Sequence, residues 1–311
     1  MVAEYGKGDW RSWLSVGKTA AYYVGMMSAS PKLQPVFANQ DFWPEVVKRH
    51  PEFFERIGRL QEAVRNIVNP AYEALDGNQR LQMNLLILVA TGTAEVVTLV
   101  GNGMGHGAMK IVRGIIENAI NAEYIRRFPE QSEKYLEWRW VEFHKLYAYM
   151  NESSPDLLKQ IPPEKMAADE AEYQRVKDMF RYKVQNAAGT ERTVKQDSWC
   201  RDNLFQRAEK TNTAQSYKTV MPVANQILHG TISGWMREID EESGRVEFPP
   251  THKWGGEALI ATHVALLQAV ETVALALNAK ANPAIEILIE DFRAIWGDVP
   301  IPEIGAAEAS V

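Results

Sequence analysis

Residues 106–128, HGAMKIVRGIIENAINAEYIRRF, decide how the rest of the chain is read. At about 100° per residue, Met109, Val112, Ile115, Ile116, Ala119, Ile120 and Tyr124 fall on one broad apolar arc, the signature of a helix packed against other elements. Polar groups interrupt that arc. Arg113 lies inside it, flanked by Met109, Ile120 and Tyr124; Glu117 stands at its edge one turn later, and Asn121 one turn after that. A guanidinium on a packing face is tolerated only if its charge is paired and hydrogen-bonded. Glu117 is the expected partner of Arg113, and breaking such a buried pair is expected to cost roughly 3–5 kcal/mol.

Hydrophobic patterning around this segment is helical almost throughout. Residues 9–27 read as a helix with Asp9 as N-cap. A Pro-containing loop covers 28–39, and helical pattern resumes at Asp41. Pro44, Pro51 and Pro70 sit where helices can begin, and Gly77 and Asn78 mark a boundary. Residues 81–100 form the most hydrophobic run. Its length suits a membrane span, but Asn84, Gly92, Glu95 and three threonines interrupt it, so it reads as a core helix. After the central helix, Pro129 opens an aromatic-rich helix to about residue 151.

Residues 163–185 read as a charged helix, and 186–195 as a loop or one short strand. Asp197 or Ser198 is expected to cap a helix running to Lys210. Residues 213–235 are helical in pattern but carry Pro222, which should kink or split them. Residues 238–254 are irregular, with a short strand at 245–248. Helices at 257–280 and 283–296 follow, then a tail from Pro300. The expected class is all-α, a multi-helix bundle with kinked helices and at most a minor β-hairpin. Residues 1–80 form an N-terminal helical region, 81–300 the main bundle and 301–311 a tail; one single domain is the alternative.

A hydrophobic content of 46% with 24% charged residues belongs to a globular chain and excludes a disordered one. The single cysteine, Cys200, excludes an internal disulfide framework and multi-cysteine metal sites. A cytoplasmic setting fits, and the first residues lack the pattern of a signal peptide. The net charge of −6 argues against general affinity for nucleic acid or membranes. Residues 175–218, however, hold ten Lys/Arg against five Asp/Glu. That stretch could meet RNA or another phosphate-rich ligand, or be a solvated surface. No membrane partner is expected, and a homodimer is left open.

Known chemical motifs are sparse. Gly103, Gly105 and Ala108 match the spacing of a dinucleotide-binding turn, but no alternating βα pattern surrounds them. The alternative is that these glycines let the central helix approach a neighbour closely. No E-x-x-H or H-E-x-x-H spacing is present, so neither a metal nor a cofactor is expected. His229, one turn after Asn225 and ahead of Gly230, is the residue best suited to proton transfer near neutral pH. Tyr217 lies upstream of it.

The pattern Arg113-x3-Glu117-x3-Asn121, then Tyr135, Trp199 and Arg207, then Tyr217 ahead of His229-Gly230, resembles a bacterial family of helical proteins known only as a domain of unknown function. The resemblance covers residues 106–235 and implies no substrate. Arg139 and His144 have the Arg-to-His spacing of HEPN-type helical domains, many of which are metal-independent RNases in toxin and antiphage systems. The distant resemblance to these domains implies RNA cleavage. Arg113, Glu117, Asn121, Tyr217 and His229 are therefore the candidate site residues, with Arg139 and His144 as an alternative pair. In the catalytic version, His229 is the general acid or base and Arg113 stabilises a phosphorane-like transition state. In the non-catalytic version, the cluster fixes helix register in an interaction or regulatory module. A helical small-molecule pocket is a third version, suggested by the aromatic content.

Overall fold

The computed structural model describes residues 42–68, 72–185, 189–231, 250–277 and 283–297, together with Ile239 and Val299. The expected helix at 9–27, the loop at 28–39, the starts at Asp41 and Pro70, the strand at 245–248 and the tail from Pro300 lie outside the described residues. The described part is all-α apart from one two-stranded antiparallel hairpin, as expected. It divides into two compact units, one holding the chain up to Arg126 and again from Arg207 onward, the other spanning Arg127–Gln206.

In the first unit the described helices include α1 (Phe42–Arg49), α2 (Pro51–Val68), α3 (Gly77–Gly101) and α4 (Gly105–Arg127), then α9 (Ala214–Leu228), α10 (Gly255–Ala276) and α11 (Pro283–Trp296). Helix α3 starts where Asp76 caps it. The Asp76 side chain accepts from the Gln79 N–H at 2.8 Å, and the Gln79 side chain accepts in return from the Asp76 N–H. This reciprocal pair satisfies two donors that a helix start leaves orphaned. The core forms mainly where α3 meets α10, with α2 and α11 packed beside α10. Helix α10 is apolar on nearly every side, which suits only a helix surrounded by others. Both α3 and α10 are long and apolar enough to cross a membrane; 83% of the most apolar window of α10 is buried inside the protein, and 50% of that of α3.

The glycine run of 101–108 has a packing role. Gly103 sits at φ +70, where side chains other than glycine are strained, and its carbonyl accepts from the Thr251 N–H at 2.9 Å. A Cβ on Gly105 would lie 2.1 Å from the Lys253 carbonyl oxygen. The absent side chains thus let the start of α4 meet the segment before α10, and the run follows helix α3 where a dinucleotide-binding turn needs a strand, so the dinucleotide reading fails.

The second unit contains α5 (Gln131–Ser153), the short α6 (Pro155–Leu158), α7 (Pro163–Val176), a 3₁₀ turn (Lys177–Phe180) and the hairpin β1 (Arg181–Gln185) with β2 (Glu191–Lys195). The single helix expected over 163–185 therefore ends at Val176. Tyr182 and Val184 alternate with charged residues at the period of a strand, and Tyr182 pairs across the hairpin with Val194. Helix α8 (Leu204–Lys210) is also shorter than expected. Its cap is Asn203, whose side chain accepts from the Gln206 N–H at 2.9 Å while the Gln206 side chain accepts from the Asn203 N–H. Pro222 does not split α9, which stays one helix. It lies exposed, where the carbonyl left without an N–H one turn back can be solvated.

Candidate functional site

Every residue of the α4 apolar arc from Met109 to Tyr124 is buried as the spacing requires. The polar residues on that helix divide into an open set and two sealed ones.

Arg113 belongs to the open set. Its side chain is 34% exposed, and Glu117 is its ion-pair partner at the edge of contact while Asn225 is its closer hydrogen-bond partner. Nε donates to Asn225 Oδ1 of α9 at 2.7 Å, whereas the nearest approach of its guanidinium to Glu117 is 3.8 Å. The neighbour facing Arg113 is thus a polar position of α9 beside open solvent, so the guanidinium needs no buried counter-charge. A half-exposed pair of this kind is worth about 0–1 kcal/mol, not the cost of a buried one. The expectation of a buried Arg113–Glu117 pair is thereby corrected.

Asn121 and Arg207, 86 residues apart, form the first sealed set. Both are 4% exposed, and Arg207 Nη1 donates to Asn121 Oδ1. Glu123 anchors the second. It is wholly buried; Arg126 donates to it twice, at 2.8 and 3.0 Å, and the Thr272 hydroxyl of α10 donates at 3.0 Å. Near it, the Glu271 carboxyl is pushed up to about 7, first by burial, then by the charge of Glu123, with Arg126 pulling the other way. Between these sets, the buried Gln82 amide of α3 donates to the Ala122 carbonyl at 3.0 Å. The Glu123 set had a sequence signal. Val112, Ile116, Ala119 and Glu123 follow the same three- and four-residue spacing, so Glu123 falls on the apolar arc.

His229 is exposed at the C-cap of α9, its backbone N–H bonded to the Asn225 carbonyl at 2.9 Å. Asn225 therefore links to Arg113 through its side chain and to His229 through its backbone. Tyr217, eight residues before Asn225, projects roughly 80° away from it around α9. In the second unit, Arg139 and His144 both lie on the unbroken α5, five residues and so roughly 140° apart. Arg139 sits 4.6 Å from the centre of the Trp140 ring, while His144 stacks on Tyr173 at 3.7 Å and bonds Glu170 at 2.9 Å. The helix points them in different directions. Among the described residues no group of three or more His, Cys, Asp or Glu is placed to hold a metal.

These helices, with the Arg113-Glu117-Asn121 ladder on α4, define a helical protein in which Arg113, Asn121 and Glu123 each bond a residue of another helix. A model of a family of unknown function, DUF5677, matches residues 83–246, more than half of the chain. The chain belongs to that family, over a span wider than the ladder and the Tyr…His-Gly segment alone suggest. No curated protein and no solved structure matches it significantly.

Proposed function

We propose that the protein is a non-catalytic interaction or regulatory module in which the polar residues of α4 hold neighbouring helices in register. One observation carries this reading. Arg113, Asn121 and Glu123 each commit a side-chain hydrogen bond to another helix, through Asn225, Arg207 and Thr272 respectively. Buried polar contacts are directional, so they select one helix register where apolar packing alone tolerates several. A cytoplasmic setting belongs to the same proposal and is supported by the lone, buried Cys200.

RNA cleavage by the HEPN-type pair has less support, because α5 turns Arg139 and His144 apart. For a reaction at Arg113 and His229, the arginine is already engaged by Asn225. The test is to incubate the full chain and its His229→Ala and His144→Ala variants with single-stranded and structured RNA. The proposal expects no cleavage by any of them and unchanged melting temperature for His229→Ala. RNA cleavage by the wild-type chain that either substitution abolishes would overturn it.

A further inference from the structure

The second unit contains a pocket apart from the polar sets of α4. It has a volume of about 60 Å³ and opens between α5, the end of α7 and the hairpin. One water needs only ~10–15 Å³ measured this way, so there is room for a group the size of a phosphate. Tyr173 and Phe180, both buried, supply an apolar wall. Lys145, Lys177, Arg181 and Lys195 line it together with Val141, His144 and Gln196, and no carboxylate does.

Two details point to an anion as the group this pocket fits. First, Arg181 and Lys195 are direct cross-strand partners in the hairpin register. Like charges at opposed positions destabilise a hairpin unless an anion lies between them. Asp178 meets Arg181 at 3.0 Å from the exposed side, and among the described residues no acid meets Lys195. Second, Gln196 is 8% exposed and lines the pocket, yet its Oε1 has no hydrogen-bond partner among the described residues. Its backbone N–H is already used, donating to the Phe180 carbonyl at 2.8 Å. A buried carboxamide of this kind calls for a partner: it can accept from a hydroxyl or, turned over, donate from its NH₂.

We propose that this pocket binds the phosphate of a small phosphomonoester. Arg181 and Lys195 hold the phosphate between the two strands, Lys177 and Lys145 add charge at the rim, and Gln196 bonds a phosphate oxygen or hydroxyl. The apolar part of the ligand lies against Tyr173 and Phe180. Guanidinium and ammonium groups bind phosphate through short charge-assisted hydrogen bonds. The observations favour a small ligand over RNA because the basic stretch does not form a track of unspent cations. Lys183 is neutralised by Glu191 at 2.9 Å, Arg175 is shared by Glu137 and Glu172, and Arg207 is buried against Asn121. RNA binding needs a run of cations along the backbone path.

The experiment titrates the full chain with inorganic phosphate and with adenosine 5′-monophosphate, followed by ³¹P NMR and calorimetry, and measures competition with a labelled single-stranded RNA. Lys195→Ala, Arg181→Ala and Gln196→Ala are compared with Lys183→Ala, which removes a hairpin cation away from the pocket. The wild type is expected to bind the monophosphate; Lys195→Ala and Arg181→Ala should each weaken it about tenfold or more, the scale of one charge-assisted contact. Lys183→Ala should leave binding unchanged. If Arg181→Ala fails to fold, the exposed Lys195 decides the matter alone. Three results would each overturn the proposal: no binding of either probe up to about 10 mM, weaker than any specific site needs; equal affinity in Lys195→Ala and Lys183→Ala; or binding of RNA that neither probe displaces.

Discussion

Replacing Glu123 by alanine should be the most damaging single change on α4. The carboxylate is fully buried and receives two hydrogen bonds from Arg126, whose own side chain is 13% exposed, and one from Thr272. Removing one member of a buried pair strands the other charge and costs about 3–5 kcal/mol. Losing the Thr272 bond adds about 1 kcal/mol. Against the ~5–15 kcal/mol that stabilises a typical domain, Glu123→Ala should therefore consume a large share. Glu123→Gln keeps one acceptor and should cost less. It also removes the charge that helps hold the Glu271 carboxyl at about 7.

The pH dependence follows from the sign of that shift. A carboxyl with a folded value of about 7 and an ordinary value of 4.5 is more readily protonated when folded. Its contribution to stability is complete below the ordinary value and is lost as pH rises through the folded one. In Glu123→Gln the folded value drops, so the fall in stability across that window should flatten. Urea denaturation of the wild type and both variants, on either side of the window, measures both effects. A cost below about 1 kcal/mol for Glu123→Ala, as for an exposed pair, would refute the reasoning. So would an unchanged pH profile in Glu123→Gln.

Other outcomes are expected elsewhere in the fold. Burial lowers His263 from 6.5 to about 4, with Asp291 opposing weakly, and Trp296 donates to its Nδ1 at 2.9 Å. The folded state thus disfavours the imidazolium: stability is complete above the ordinary value and falls as pH drops through the folded one. At about 1.36 kcal/mol per pH unit, the loss approaches about 3 kcal/mol. Urea midpoints against pH should show this acid limb in the wild type and not in His263→Phe. Gly105→Ala would push a methyl onto the Lys253 carbonyl oxygen and should destabilise by about 1–3 kcal/mol. Gly114→Ala meets nothing within 4 Å on the same helix and should stabilise by about 0.5–1 kcal/mol. Thermal melts of the two glycine variants should move in opposite directions.

Much of the helical architecture could be read from residue spacing. The buried arc of α4 follows from its hydrophobic period, and Pro283–Trp296 is a helix between the bounds that its pattern implies. Boundaries were harder where local chemistry was short-range. The 163–176 helix passes into the β1 strand with no proline or glycine to mark the change, so only the two-residue alternation of Tyr182 and Val184 shows it. The spacing lists polar residues of α4 but does not say which groups they bond. Arg113 has a carboxylate one helical turn away, yet bonds Asn225, 112 residues later, because packing of α9 decides which group reaches it. Asn121 and Arg207 both stood in the sequence pattern, but nothing in their spacing joined them. Glu123 was within reach of the same helical arithmetic that placed its apolar neighbours. The pocket at Gln196 depends on folding a hairpin against α5, which no single motif records.

If the polar ladder of α4 locks neighbouring helices together, Asn121 and Arg207 must be energetically coupled. A double-mutant cycle of Asn121→Ala and Arg207→Ala should give a coupling of about 1–3 kcal/mol, as expected for a buried hydrogen bond to a charged donor. The same cycle for Arg113 and Glu117 should give less than about 1 kcal/mol. Additive costs at Asn121 and Arg207, with no coupling between them, would contradict the account.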